Sequence, residues 1–168
     1  MSESRAFDVS LQNLNIHPDE QVVIFAAEWH SDIVDMMVKD AVDLLSRYIQ
    51  KPVSVVKVPG CFELPQAVSI YFADFPSRAY FSAICFGCVV QGDTPHFTFI
   101  SDAVAHAIEH VACSDRAFPV MFGVLTANTR QQALERADGT HSRKGIEVAT
   151  ALLKMLDFRN RCPFRNYT

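Results

Sequence analysis

Three runs of strand length, residues 22–27, 81–90 and 120–125, are apolar almost from end to end, and a fourth, 53–58, is short and β-branched. A strand with one face in water alternates apolar and polar residues, whereas one without alternation is covered on both faces, as in a parallel sheet between helices. Helical patterns separate the runs. Ile33, Met37, Ala41, Leu44, Leu45 and Tyr48 stripe a long helix capped by Ser31, and 62–72 reads as a helix with Pro65 tolerated in its first turn. A third helix runs from His96 to about Ala112, Thr129 and Gln132 make a capping box for a short helix ending at Asp138-Gly139, and Ser142 caps a last helix to about Phe158. With right-handed crossovers the expectation is an α/β protein, a flavodoxin-like three-layer α/β/α sandwich on a four-stranded parallel sheet.

The 168 residues, 49% of them hydrophobic, suit one packed domain, expected at 21–158. Residues 1–20 are polar and read as an N-terminal extension that only a neighbour would order, and 159–168 as a solvated C-terminal tail. A net charge of −4 supplies no basic surface for nucleic acid or anionic membrane, and no stretch approaches a bilayer span. Five cysteines, an odd number without scaffold spacing, fit reduced thiols in the cytoplasm.

Parallel sheets bind ligands beyond the carboxyl ends of their strands, so loops 28–32, 60–64, 91–96 and 126–129 should converge. In one of them Gly92-Asp93-Thr94-Pro95-His96 turns a strand into a helix. Thr94 suits the N-cap and Pro95 the first helical position. The free amides there, with those of Gly92 and Asp93, form an anion site, and the same dipole field disfavours imidazolium, leaving His96 neutral and basic. Trp29 either stacks on a heterocycle or packs on the long helix. Glu63 is a polyol-binding carboxylate or a surface acid at a helix start. Arg136 and Lys144 hold a phosphate or are simply solvated. Phe122, inside a strand, reads as core.

Two other patterns point elsewhere. Cys85-Phe86-Gly87-Cys88 has redox spacing but falls within a strand, where residues three apart face opposite ways, so these are core thiols. His106, Glu109 and His110 match an inverted zinc-protease motif, with a polar helix face as the alternative. Neither a Walker loop nor a dinucleotide fingerprint is present.

Together, Val58-Pro59-Gly60-Cys61-Phe62-Glu63-Leu64-Pro65, Gly87-Cys88-Val89-Val90-Gln91-Gly92-Asp93-Thr94-Pro95-His96-Phe97, Phe122-Gly123-Val124-Leu125-Thr126, and Gln132-Ala133-Leu134-Glu135-Arg136-Ala137 with Lys144-Gly145 closely resemble the 6,7-dimethyl-8-ribityllumazine synthase family over about residues 21–157. The resemblance implies condensation of 5-amino-6-(D-ribitylamino)uracil with 3,4-dihydroxy-2-butanone 4-phosphate, the penultimate step of riboflavin synthesis, without metal or cofactor. It implies His96 for proton transfer, and Gly92, Asp93 and Thr94 with Arg136 for the phosphate. Trp29 and Phe122 would sandwich the pyrimidine, Cys61, Phe62, Glu63, Cys88, Val89 and Val90 would hold the ribityl chain and ring edge, and Lys144 would support the phosphate or ribityl end. It further implies a homo-oligomer built from pentamers, with Phe122, Arg136 and Lys144 supplied by the adjacent subunit. A flavin- or lumazine-binding protein without catalysis is the alternative on the same fold. Four residues depart from the family pattern: Trp29-His30 for Phe-Asn, Cys61 for a small residue, Gln91 for a basic one and Arg143 for Asn.

Overall fold

The computed structural model describes residues 11–73, 80–114 and 118–162. Four parallel strands, β1 (Gln21–Ala27), β2 (Ser54–Val58), β3 (Phe81–Val90) and β4 (Val120–Ala127), lie in the order β2-β1-β3-β4. The helices are α1 (Ser31–Leu45), α2 (Leu64–Ala73), α3 (His96–Ala112), α4 (Arg130–Ala137) and α5 (Lys144–Arg161), with a 3-10 turn at Cys61–Glu63 before α2. The sandwich and its sheet are as expected from the sequence.

Central strands β1 and β3 feed two cores, one through each face. Ile24, Ala26, Ile84 and Phe86 pack under α1, α4 and α5, while Val23, Phe25, Phe81 and Cys85 pack under α2 and α3. Residues of opposite parity enter opposite cores, the two-residue period of a strand buried on both sides. Cys85 and Cys88 fall in different cores, as their spacing requires. An aromatic cluster fills the second core, with Phe72 stacked on Phe118 at 4.0 Å and Phe25 edge-on to Tyr71 at 5.6 Å. Edge strand β2 is largely exposed.

Two glycines allow approaches that a side chain would block. A Cβ at Gly145 would lie 2.3 Å from the Met37 carbonyl oxygen, so the start of α5 lies directly on α1. One at Gly87 would lie 2.5 Å from Cys61 Sγ, so β3 lets the 3-10 turn settle against it.

Several local expectations are corrected. The N-cap of α1 is His30, in the left-handed region at φ 57°, and its carbonyl accepts from Ile33 and Val34; Ser31 is already helical. Pro95, not Thr94, precedes α3, and its carbonyl accepts the Thr98 N–H at 3.0 Å. Arg143, not Ser142, precedes α5. The capping box of Thr129 and Gln132 is present in full. The last helix extends to Arg161, so Arg159 and Arg161 are not a solvated tail: Arg159 pairs with fully buried Glu20 and donates to the Phe81 carbonyl at 3.3 Å. Residues 11–20 are held by their own chain, with Leu11, Leu14 and Ile16 against the first core, Asn15 N–H donating to Asp157 at 2.6 Å and Arg161 to the Asn13 carbonyl at 2.7 Å. The expectations for residues 1–10 and 163–168 lie outside the described residues. No helix among the described residues is long and apolar enough to cross a membrane.

Candidate active site

The strand order reverses direction between β1 and β3, since β2 lies on one side of β1 and the chain then crosses to the other. At such a switch point the loops leave in opposite directions and open a crevice. Here it is a cavity of about 380 Å³ lined by Trp29 and His30 after β1, Gly60 to Glu63 after β2, Cys88 to Val90 at the end of β3, and His96 and Ile100 on α3. Eight of the residues singled out in the sequence meet here: Trp29, Cys61, Phe62, Glu63, Cys88, Val89, Val90 and His96.

Each wall has a local cause. Trp29 is 71% exposed and Phe62 59%, so two large apolar faces stand in solvent instead of packing on a helix. The indole of Trp29 is therefore not packed on the long helix in this chain. Gly60 keeps the floor between them low, since a Cβ there would lie 3.0 Å from Glu63 Oε2 and 3.6 Å from Trp29 Cδ1. Cys61 is turned inward, its thiol donating to the Cys88 carbonyl at 3.7 Å, and burial pushes that thiol up to about 11. Burial likewise pushes Cys88 up to about 12 and Cys85 higher still. These are protonated packing groups at neutral pH, as expected for core thiols, and a nucleophilic or redox role does not suit them.

His96 opens α3, exposed at the cavity rim. Gly92, Asp93 and Thr94 form the exposed loop leading to it. The amides of His96 and Phe97, at the start of a 17-residue helix, have no backbone acceptor among the described residues and stand at the positive end of its dipole. Gln91 leaves the loop through its N–H, which donates to the Ala127 carbonyl at 2.9 Å.

Phe122, Arg136 and Lys144 do not join this cavity. Phe122 is 41% exposed on β4, which corrects the core reading: it pairs with buried Cys85, but β4 is an edge strand and the ring stays partly uncovered. Arg136 lines a second, polar cavity of about 400 Å³ with Thr126, Asn128, Gln132, Glu135 and His141. The two cavities share no lining residue. Lys144 is half-buried, its ammonium 3.2 Å from Glu147 one turn along α5. Arg143 is engaged too, forked onto the Asp40 carboxylate at 2.9 and 3.0 Å. Sequence reasoning did not single out Ile100 or His141. Ile100 lies one turn after His96 on the same helix face, a signal available from spacing alone. His141 follows an Asp-Gly turn and has no such signal.

The residues of the zinc-protease pattern, His106, Glu109 and His110, lie exposed on α3. His106 Nδ1 lies 2.9 Å from the Asp102 carbonyl oxygen and Glu109 accepts from the Cys113 thiol at 3.2 Å. Among the described residues no three His, Cys, Asp or Glu side chains are grouped to hold a metal.

A family model for 6,7-dimethyl-8-ribityllumazine synthase matches residues 19–160. The chain belongs to the 6,7-dimethyl-8-ribityllumazine synthase family. It is 37% identical over 154 residues to the 6,7-dimethyl-8-ribityllumazine synthase of Streptomyces avermitilis, covering 90% of each chain. It is 39% identical over 150 residues to that of Porphyromonas gingivalis, covering 88% of this chain and 91% of the relative. With the Cytophaga hutchinsonii synthase it shares 38% identity over 135 residues, 79% and 82% of the two chains. The family match runs from before β1 into the last turn of α5, and so covers every element that lines the cavity in this lumazine synthase family member.

Proposed function

We propose that this chain is a transferase that condenses 5-amino-6-(D-ribitylamino)uracil with 3,4-dihydroxy-2-butanone 4-phosphate, giving 6,7-dimethyl-8-ribityllumazine, phosphate and water, the penultimate step of riboflavin synthesis. The observation that carries this reading is the switch-point cavity, which joins an exposed indole, a carboxylate and a histidine-bearing helix N-terminus in a member of the lumazine synthase family. Trp29 offers a face for the pyrimidine. Cys61, Phe62 and Glu63 with Cys88, Val89 and Val90 surround the ribityl chain and ring edge. Gly92, Asp93 and Thr94 offer amides to the phosphate.

The chemistry suits these groups. An amine adds to a ketone with loss of water, the phosphate ester departs, and the second ring closes; each step needs alignment and proton movement rather than a protein nucleophile. His96, at the phosphate end, accepts a proton as phosphate leaves. Arg136 offsets the charge that develops on the departing group.

Phe122, Arg136 and Lys144 complete the site from an adjacent subunit of a pentamer-based homo-oligomer. Exposed Phe122 and the separate Arg136 cavity support this arrangement, because in one chain they are too dispersed to meet Trp29 in a single cavity. The catalytic unit is 21–158 together with the packed segments that flank it, and its compartment is the cytoplasm.

The test is product formation from the two purified substrates, followed by mass spectrometry. His96→Ala is expected to lower turnover by about 10²- to 10⁴-fold, the contribution of a positioned acid–base group, with a smaller change in either KM. Tight flavin binding without any product in the parent chain would instead identify a binding protein.

A further inference from the structure

The two basic side chains in the β4–α4 cavity lack a partner among the described residues. Arg130, Arg143, Arg159 and Arg161 are each paired with a carboxylate, whereas the guanidinium of Arg136 has no hydrogen bond or ion pair there. His141 lines the same cavity, and its imidazole is equally unengaged. The remaining polar wall comes from Thr126, Asn128, Gln132 and Glu135. Glu135 is the one carboxylate on it, and Gln131 donates to that carboxylate at 2.9 Å.

The position of His141 is built by the backbone. Asp138 accepts the Thr140 N–H at 2.7 Å, and Gly139, at φ 97°, reverses the chain as α4 ends. The His141 N–H then donates to the Glu135 carbonyl at 2.9 Å, and the Ser142 hydroxyl to the Arg136 carbonyl at 3.4 Å. The imidazole is thereby tied to the helix turn that carries the guanidinium, so little backbone ordering is left for binding to impose.

We propose that His141 is a second donor to the phosphate group that Arg136 binds; this rests on the reading of Arg136 given above. A phosphate monoester presents three terminal oxygens, and a guanidinium fork takes two. The imidazole N–H takes the third. Lys144, the nearby ammonium, already pairs with Glu147. The ligand chemistry is a phosphate dianion, either the ester substrate or the inorganic phosphate it releases.

The experiment is steady-state kinetics on the full assembled chain, comparing His141→Ala, His141→Gln and Arg136→Ala with the parent. The KM of each substrate and the inhibition constant of inorganic phosphate are measured, together with the thermal midpoint. His141→Ala is expected to raise the KM of the phosphate ester and the inhibition constant of inorganic phosphate by about tenfold, the worth of a hydrogen bond to a charged group, with the pyrimidine KM unchanged. His141→Gln, which keeps an N–H donor, should recover part of the loss. A rise confined to the ester KM assigns the contact to the substrate rather than the product. If Arg136→Ala raises the phosphate constants and His141→Ala does not, the proposal fails while Arg136 keeps its role. No effect of Arg136→Ala would overturn both. Equal rises in both substrate KM values with a lower thermal midpoint would make His141 merely structural and also defeat the proposal.

Discussion

At the scale of single residues, the site was most legible where chemistry constrains the backbone. A histidine after Gly-Asp-Thr-Pro at the end of an apolar run announces a helix start with free amides, and His96 is the first residue of α3. Glu63 was legible in the loop that the Pro-Gly break opens, and Cys61 and Phe62 only through the family resemblance. Phe122 was not, because an apolar residue inside an apolar strand looks the same whether its side of an edge strand is covered or bare. Cys61 yields a pH prediction. Its thiol titrates near 11 in the folded chain against an ordinary value of 9.0, so at pH 8 an alkylating reagent should leave it unmodified, with labelling appearing only as pH nears 11. The sign for stability follows. A raised folded value means that the native state holds the proton more tightly, so this stabilisation is complete below pH 9.0 and is lost as pH rises towards about 11. Peptide mapping across a pH series checks the first outcome and urea midpoints the second; rapid labelling of native Cys61 at pH 8 would contradict both.

Among the secondary-structure elements, existence and order were readable, and boundaries were not. Every strand and helix expected from the pattern is present, because burial on both faces and the 3.6-residue stripe are strong signals summed over many positions. Caps depend on one residue each. Ser31, Thr94 and Ser142 are good capping types, yet His30, Pro95 and Arg143 hold those positions, and the Ser142 hydroxyl is committed to the Arg136 carbonyl instead. Thr129 succeeded because Gln132 reinforces it reciprocally. Helix packing has its own sharp test. Gly145 sits where α5 meets the backbone of α1, and the obstructing atom is a carbonyl oxygen that cannot rotate away. Gly145→Ala should therefore destabilise the fold by about 1–3 kcal/mol, the usual cost of overpacking, read as a lower urea midpoint at unchanged slope. An unaltered midpoint would mean that α1 and α5 slide apart freely.

For the whole molecule, the segment before β1 and the end of α5 are joined. Glu20, just before β1, is buried against Arg159 near the end of α5, and Asn13, Asn15, Asp157, Asn160 and Arg161 extend that join along the helix. Polar composition alone made 11–20 look like a free arm, since a pattern of hydrogen bonds to a helix well over a hundred residues away leaves no local trace. The separation of the two cavities was equally hidden, for sequence order says which loops share an edge of the sheet but not which of them touch. That separation has a genetic corollary. On the proposed sharing between subunits, a His96→Ala chain and an Arg136→Ala chain are each defective alone, yet co-assembled they restore an intact pair wherever an Arg136→Ala protomer receives its neighbour's arginine. An equal mixture, unfolded and refolded together, should regain about a quarter of the parental sites, as random placement around a head-to-tail ring dictates. Two damaged alleles would then complement each other in one cell, while the double mutant expressed by itself stayed silent.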